Sequence, residues 1–381
     1  MFNHFIRRNS ITTSSTLAAF AALCLIFCAA IAPAGRANTA APTNRTPSAD
    51  DLPITSGTCR TDNFALFEGP DIGDIAGVDN GCPQVINAIR ADILLGKKPL
   101  TSRHLYYLSE LAPYIAPNYS KLPCFLKAVK GTEFGAATLV IDEPVTLSEP
   151  LVIPSRYTLA GTGIDGEGSL RFTGLANGVA AIRLDNQATN ITIRDLSIGR
   201  LNGGVNIGID VSRANKVFIR DTLVTGFFAG IYGSRPGTFA ISVYIDRSSI
   251  FGNDYNIVMH RNAFHWRIRD CILNQARCWG LRIFGSNDDP VPVAAGELVW
   301  GNDHLIQGSR FESCGSGGAL LGSDSAMLMN NRFEQNGGNG GVGIRILPTA
   351  TSTRLISNYF SGNTLINQGA QTQSYGNIFS P

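Results

Sequence analysis

Charge of one sign is scarce in this 381-residue chain: 31 lysines and arginines stand against 29 aspartates and glutamates. That balance builds no basic stripe, and so excludes the electrostatic footprint of a nucleic-acid-binding protein. Methionine is scarce too, with four residues, and amphipathic helical spacing fades after residue 130. The sequence has no glycine-rich nucleotide fingerprint, no zinc-ligand spacing and no nucleophile elbow. The one strongly apolar run, Leu17 to Ile31, is short for a membrane span. What the chain does have is 41 glycines, the composition of a turn-rich β protein.

The apolar run belongs to a targeting pattern. Arg7 and Arg8 precede it, and Ala32-Pro33-Ala34 follows it. A charged start, an apolar middle and a small-residue cleavage site predict a signal peptide over 1–37, with an uncleaved anchor as the alternative. The expectation is a secreted, periplasmic or cell-surface protein with no membrane association after cleavage. Removing Arg7, Arg8 and Arg36 leaves 31 − 3 = 28 basic against 29 acidic residues. Residues 38–58, rich in Pro, Thr, Ala and Asp, read as a flexible linker. Six cysteines remain beyond it: Cys59, Cys82, Cys124, Cys271, Cys278 and Cys314. In an exported chain they allow three disulfides. Cys278 and Cys314, at similar places in successive repeats, are expected to bridge. Cys271 reads equally well as a buried free thiol.

The second half repeats. Ile193/Ile198, Ile219/Val224, Ile245/Ile250, Ile268/Leu273, Ile306/Phe311, Leu328/Phe333 and Leu355/Phe360 are apolar pairs five residues apart. Their first members step by 26, 26, 23, 38, 22 and 27 residues. A second beat runs through Gly208-Ile209, Gly230-Ile231, Asn256-Ile257, Gly280-Leu281, Gly318-Ala319 and Gly343-Ile344. Short strands between Gly/Asn turns at this period predict a parallel β-helix, each coil stacked on the last. Stacking puts Arg194, Arg220, Asp246 and Arg269 in one column and Asp195, Asp221, Arg247 and Asp270 in the next. The swapped third coil gives each column an opposite charge in its middle, which predicts a charge-balanced outer face.

Upstream, Val85, Ile86, Ile89 and Ile93, then Leu105, Leu108 and Leu111, then Phe125, Leu126 and Val129 have helical spacing, broken by Pro99, Pro113, Pro117 and Pro123. A solenoid end exposes strand edges, so residues 59–135 are expected to form a helical cap and 136–381 the β-helix. The order of helices, then "VTLSEPLVIPSRYTLAGTG", then Ile/Asn/Gly coils resembles the pectate-lyase-like superfamily of right-handed parallel β-helices. The resemblance covers roughly residues 80–379. It implies an all-β, right-handed parallel β-helix solenoid with a small N-terminal α-helical cap. It does not fix an activity, since fold does not give function. Asp288-Asp289 matches one element of polygalacturonase-like hydrolases, but their Gly-His-Gly is absent. Val299-Trp300-Gly301-Asn302-Asp303-His304 is similar to the Val-Trp-Ile-Asp-His of pectate lyases, with one extra residue and no Arg-x-Pro-x-x-Arg downstream.

The long step from Ile268 to Ile306 marks the candidate site, because insertions in repeat proteins emerge as loops, often on the binding face. Trp266, Trp279, Trp300, His260, His265 and His304 all fall between residues 260 and 304, with Arg261, Arg267, Arg282, Asp288, Asp289, Glu297 and Asp303. Aromatic faces stack on sugar rings, arginines bind carboxylates, and paired acids transfer protons or hold Ca²⁺. The catalytic candidates are Asp289, Asp303, His260 and Arg282. Trp300, Trp279, Tyr255 and Arg261 are candidates for substrate contact, and Asp288 with Asp289 for optional Ca²⁺ binding, with no cofactor required. Trp266 and His304 share a position held elsewhere by Ile191, Val217 and Val243, and so are expected to point inward. The sequence predicts a secreted, monomeric protein acting on an extracellular polysaccharide, uronate-containing polymers included, by lyase or glycoside hydrolase chemistry. The alternative is a non-catalytic glycan-binding or adhesive β-helix.

Overall fold

The computed structural model describes residues 59, 64, 66, 82–94, 104–115, 117–130, 132, 134–163, 168–233, 238–285, 288–290, 303–338 and 340–381. The signal-peptide and linker assignments, Glu297 and Trp300 lie outside them. Three parallel sheets of 12, 9 and 10 strands make up the fold. The coils contribute a strand to each sheet in turn, as in Thr189–Arg194, Ser197–Arg200 and Ile207–Asp210. Sheet 1 holds the first of these, sheet 2 the second and sheet 3 the third, and one coil splits its sheet 1 strand into Ala263–Phe264 and Arg267–Arg269. The chain therefore folds as the predicted parallel β-helix, and no helix among the described residues is long and apolar enough to cross a membrane.

The apolar beats are the inward columns. Leu139, Leu159, Ile193, Ile219, Ile245, Ile268, Ile306, Leu328 and Leu355 are successive rungs of sheet 1. Leu170, Ile198, Val224, Ile250, Leu273, Phe311, Phe333, Phe360 and Phe379 do the same in sheet 2. The last four stack nearly face to face at 4.7, 5.1 and 4.6 Å between centroids. Ile209, Ile231, Ile257, Leu281, Ala319 and Ile344 complete the core from sheet 3. These inward side chains close the interior, and burial is nearly complete from Leu139 to Phe360, while Phe379 in the last coil is exposed.

The bends need polar bookends, since each turn leaves backbone groups unpaired inside the stack. Asparagines meet that need between sheets 1 and 2. Asn358 Oδ1 accepts from the backbone N–H and the side-chain amide of Asn331, both at 3.0 Å, and Asn358 Nδ2 donates to Leu328 O at 2.9 Å. The same bend holds a column in the left-handed region: Asp195, Asp221, Arg247 and Asp270, with φ of +54°, +46°, +47° and +53°. Aspartate tolerates that conformation and arginine gains little from it. Arg247 compensates with a two-pronged bond to Asp221, at 2.9 and 2.6 Å. In the neighbouring column Asp246 lies between Arg220 at 3.5 Å and Arg269 at 2.9 Å. The charge swap in the third coil thus joins rungs as expected.

Helices α1 (Cys82–Leu94), α2 (Leu108–Ile115) and α3 (Leu122–Ala128) precede the first coil. Their apolar faces, with Ile89, Leu111 and Phe125, join the core of Leu139, Val145 and Leu151. Leu105 does not belong to a helix as its spacing suggested. Leu105–Tyr107 is a strand that pairs with Thr138–Val140 and adds a rung to sheet 1.

Cys278 bridges Cys59, across 219 residues of sequence, so the expected Cys278–Cys314 pairing is corrected. Cys271 and Cys314 are buried free thiols. They stand at bend positions filled elsewhere by Ser, Thr or Asn, and their sulfurs reach Ile245 O and Leu273 O. A neighbouring-coil bridge fails because both side chains serve the bends while Cys278 lies on the outside of sheet 3. Cys124 is also disulfide-bonded.

Candidate functional site

The broken beat lies where sheet 3 returns to sheet 1. That corner runs from Ile283 to His304 in the long coil and from Leu321 to Ala326 in the next. The candidate residues separate there into two groups.

The first group is on the outer face of sheet 3, where Tyr232, Val258 and Arg282 are successive rungs, as are Ala229, Tyr255 and Trp279. Asp288 and Asp289 fold back onto it from the long corner. Asp289 Oδ1 is 2.9 Å from His260 Nδ1, and its other oxygen accepts from the Arg261 backbone N–H and faces the Arg261 guanidinium at 3.4 Å. Asp288 accepts from Arg282 Nη2 and from the Gly285 N–H. Gly322 has no side chain for a physical reason, since a Cβ there would meet both Asp288 carboxylate oxygens. Arg282 also lies over Phe284, 4.0 Å from its centroid. The His260 ring stacks on Phe284 at 4.8 Å and meets Tyr232 at 4.9 Å. His260, Arg261 and Tyr255 are each 2% exposed and Trp279 8%. Burial lowers the Arg282 guanidinium from its usual value, with Asp288 opposing, and pushes the Tyr255 phenol up to about 12.

Seven predicted residues therefore come together, but beneath a cover. Phe64 is fully buried on top of them, with its ring centroid 5.1 Å from Phe228 and Tyr255, 5.4 Å from Phe284 and 5.7 Å from His260. The Asp288 and Asp289 carboxylates already hold arginines, and no group of three or more potential metal ligands occurs among the described residues. As it stands, the donor set for Ca²⁺ is occupied by cationic side chains.

The second group is exposed, on sheet 1. Asp303 is not with Asp289. Its Oδ2 accepts from His265 Nε2 at 2.8 Å and from Arg267 Nη2 at 3.0 Å, and its carbonyl accepts from Arg267 Nη1 at 2.5 Å. The side chains of His265 and Asp303 are 43% and 53% exposed. With Nε2–H given to the carboxylate, a neutral His265 carries its lone pair on Nδ1. Both residues belong to one column of left-handed positions: Asn190, Lys216, Ser242, His265, Asp303, Ser325, Ser352 and Gln371, with φ between +54° and +61°. Each but Gln371 precedes the first member of an apolar pair by three residues. That offset is a sequence signal for the His265–Asp303 contact, and composition alone missed it.

The group continues along the outer face of the sheet through half-buried residues. Phe218, Tyr244 and Arg267 are consecutive outward rungs. Phe218 and Tyr244 stack at 5.0 Å with 12° between planes, and Arg220 lies over Phe218 at 5.1 Å. Phe264 packs against the His265 ring at 4.0 Å. His304 points the other way. It is 1% exposed, and burial lowers its pKa to about 3, Asp303 only partly opposing. Trp266 is buried too, donating from Nε1 to Ala240 O at 3.0 Å. Both take the inward positions their column predicts.

No protein-family model matches the sequence, and no curated protein matches it. Among solved structures, the ORF18 protein of Geobacillus virus E2 is similar over 78% of this chain and 64% of its own, at 11% identity and a TM-score of 0.52. This chain thus spans less than two thirds of that protein. The tailspike gp49 of Acinetobacter baumannii bacteriophage Fri1, a capsular polysaccharide depolymerase, matches over 73% of this chain and 61% of its own at 14% identity and a TM-score of 0.45. The A-module of the Azotobacter vinelandii mannuronan C-5 epimerase AlgE4 matches over 67% and 90% at 12% identity and 0.35. The first of these likenesses bears on fold alone.

Proposed function

We propose that this chain is an extracellular carbohydrate-active β-helix that cleaves an acidic polysaccharide lying along the outer face of sheet 1. The observation that carries the reading is the outward-facing strip of half-buried Phe218, Tyr244, Arg267 and His265 with exposed Asp303. Phe218 and Tyr244, stacked on each other, present apolar ring edges along which a sugar chain can pack. Arg220 and Arg267 beside them are paired with Asp246 and Asp303 but keep further N–H donors for a substrate carboxylate. At the end of the strip stands an imidazole oriented by a carboxylate, the arrangement general base catalysis requires.

A lyase step suits these groups better than two-carboxylate hydrolysis. His265 Nδ1 takes the proton at C5 of a uronate, the C5–H electron pair becomes the C4–C5 double bond as the C4–O bond breaks, and the departing oxygen takes a proton from water. Asp303 holds the ring, and the positive potential of Arg267 stabilises charge that develops at the substrate carboxylate. A hydrolase needs a second acid across the scissile bond. Asp289, the other candidate, is bonded to His260 and Arg261 on a different sheet. A non-catalytic glycan-binding role is the second reading. It is favoured by the burial of His260, Asp289 and Arg282 and by their mutual charge satisfaction. Ca²⁺ enters either reading only as an addition to test.

The test is incubation with acidic and neutral polysaccharides, with and without Ca²⁺, following absorbance from unsaturated ends and the appearance of reducing ends. The expected result is unsaturated product from a uronate polymer, lost in His265→Ala and Asp303→Asn while polymer binding persists. Binding without any product sinks the lyase and leaves the binder. Reducing ends without unsaturation would instead point to hydrolysis.

A further inference from the structure

The left-handed column that carries His265 also holds two cations the proposed reaction does not use. Arg156, Asn190, Lys216, Ser242 and His265 stand on five successive rungs at one edge of sheet 1, each flanked by residues in register with the next coil. Arg156 and Lys216 are exposed, and neither has an ion pair or a side-chain hydrogen bond among the described residues. Arg194, Arg220, Arg267 and Arg269, on the same face, are each committed to an aspartate. The backbone gives these two cations no reason to be there either. With φ of +61° at Arg156 and +56° at Lys216, glycine or asparagine would serve the fold better. We infer that Arg156 and Lys216 are carboxylate-binding positions for the polysaccharide that meets His265, and that they select a chain presenting one acid to the wall on every second sugar. The inference rests on the reading that a polysaccharide lies along sheet 1, and names the charge pattern that this face accepts.

Spacing defines the ligand. Rungs lie about 4.8 Å apart, so Lys216 stands roughly 10 Å and Arg156 roughly 19 Å from His265 along the axis. An extended chain of linked pyranoses advances by about one rung per sugar, which brings every second sugar level with a cation. On the rungs between, Asn190 and Ser242 offer hydrogen bonds to hydroxyls and no charge. Two polymers present that pattern: a copolymer of uronate alternating with a neutral sugar, and a homopolyuronate ribbon whose successive sugars face opposite ways.

The test uses the full chain carrying His265→Ala, so that polymer is held and not consumed, with calorimetry at low salt. The probes are hyaluronan for the alternating chain, polymannuronate for the ribbon, and dextran as the uncharged control. At least one acidic polymer is expected to bind, and dextran not. Lys216→Gln and Arg156→Gln each weaken that binding about threefold and together about tenfold, the size of one exposed ion pair per cation. Lys216→Arg keeps the affinity. Lys216→Gln/Ser242→Lys, which returns the charge one rung out of step, leaves binding weak, and Lys121→Gln, the same charge loss on the helical cap, changes nothing. With His265 intact, the two glutamine substitutions raise KM and leave kcat as it was. Unchanged affinity in both single variants overturns the inference. So do full recovery with Ser242→Lys, an equal loss in Lys121→Gln, and binding of neither acidic polymer. None of these bears on whether the intact protein releases unsaturated product. Binding that follows the two cations with no product sinks the lyase and keeps the carboxylate positions.

Discussion

Replacing His304 by leucine gives the most direct check on how this solenoid tolerates polar groups in its core. The side chain occupies an inward rung, is 1% exposed, and has no hydrogen-bond partner at either ring nitrogen. Burial lowers its pKa from 6.5 to about 3. A depressed pKa in a base means the unfolded chain binds the proton more readily than the folded one. Stability is therefore full above pH 6.5 and falls as pH drops from 6.5 toward 3. At about 1.4 kcal/mol per pH unit, this one residue removes roughly 3 kcal/mol between pH 7 and pH 4. His304→Leu abolishes that contribution. At pH 7 it also removes two unsatisfied buried nitrogens, a gain of about 1–3 kcal/mol before any repacking cost. The assay is urea unfolding of both proteins from pH 7 to pH 4, with the slope against urea checked for constancy. The difference between the two pH profiles isolates His304 from the carboxylates common to both. Parallel profiles, with the same loss in each protein, would refute the burial argument.

Three further outcomes are expected. Asn358→Ala strands the buried Asn331 N–H and Leu328 carbonyl and should cost about 2–4 kcal/mol in the same unfolding assay, whereas an exposed asparagine such as Asn186 tolerates alanine. Burial pushes the Cys271 and Cys314 thiols up to about 12, so peptide mapping after iodoacetamide at pH 8 should find both unlabelled in the native protein and labelled after unfolding. Arg247→Asp, which puts four acids in one column with Asp195, Asp221 and Asp270, should lower the urea midpoint at low salt and recover at high salt, while Arg247→Gly, free of left-handed strain, should change it little.

Much of this was legible because a stacked coil turns sequence period into spatial contact. Once Ile193, Ile219 and Ile245 are aligned, every neighbour of each is fixed, including the Asp246 that joins Arg220 to Arg269. The same alignment placed Trp266 and His304 inside. It also holds the His265–Asp303 contact, since both precede an apolar pair by three residues. The long corner between them hides that correspondence from a reading by composition, which groups Asp303 with Asp289 instead.

The sequence by itself thus determined the wall, its inward columns and the coil where the wall is interrupted, because those follow from contacts one rung apart. Only the tertiary structure decided which faces stay open. Cys59 meets Cys278 across 219 residues, and no period relates Phe64 to the rings it covers. Contacts of that span depend on where a segment outside the repeat comes to lie, and the repeat carries no information about it. That is why His260, Asp289, Arg282 and Tyr255, grouped correctly as neighbours, turn out to be sealed, while His265 and Asp303 face solvent.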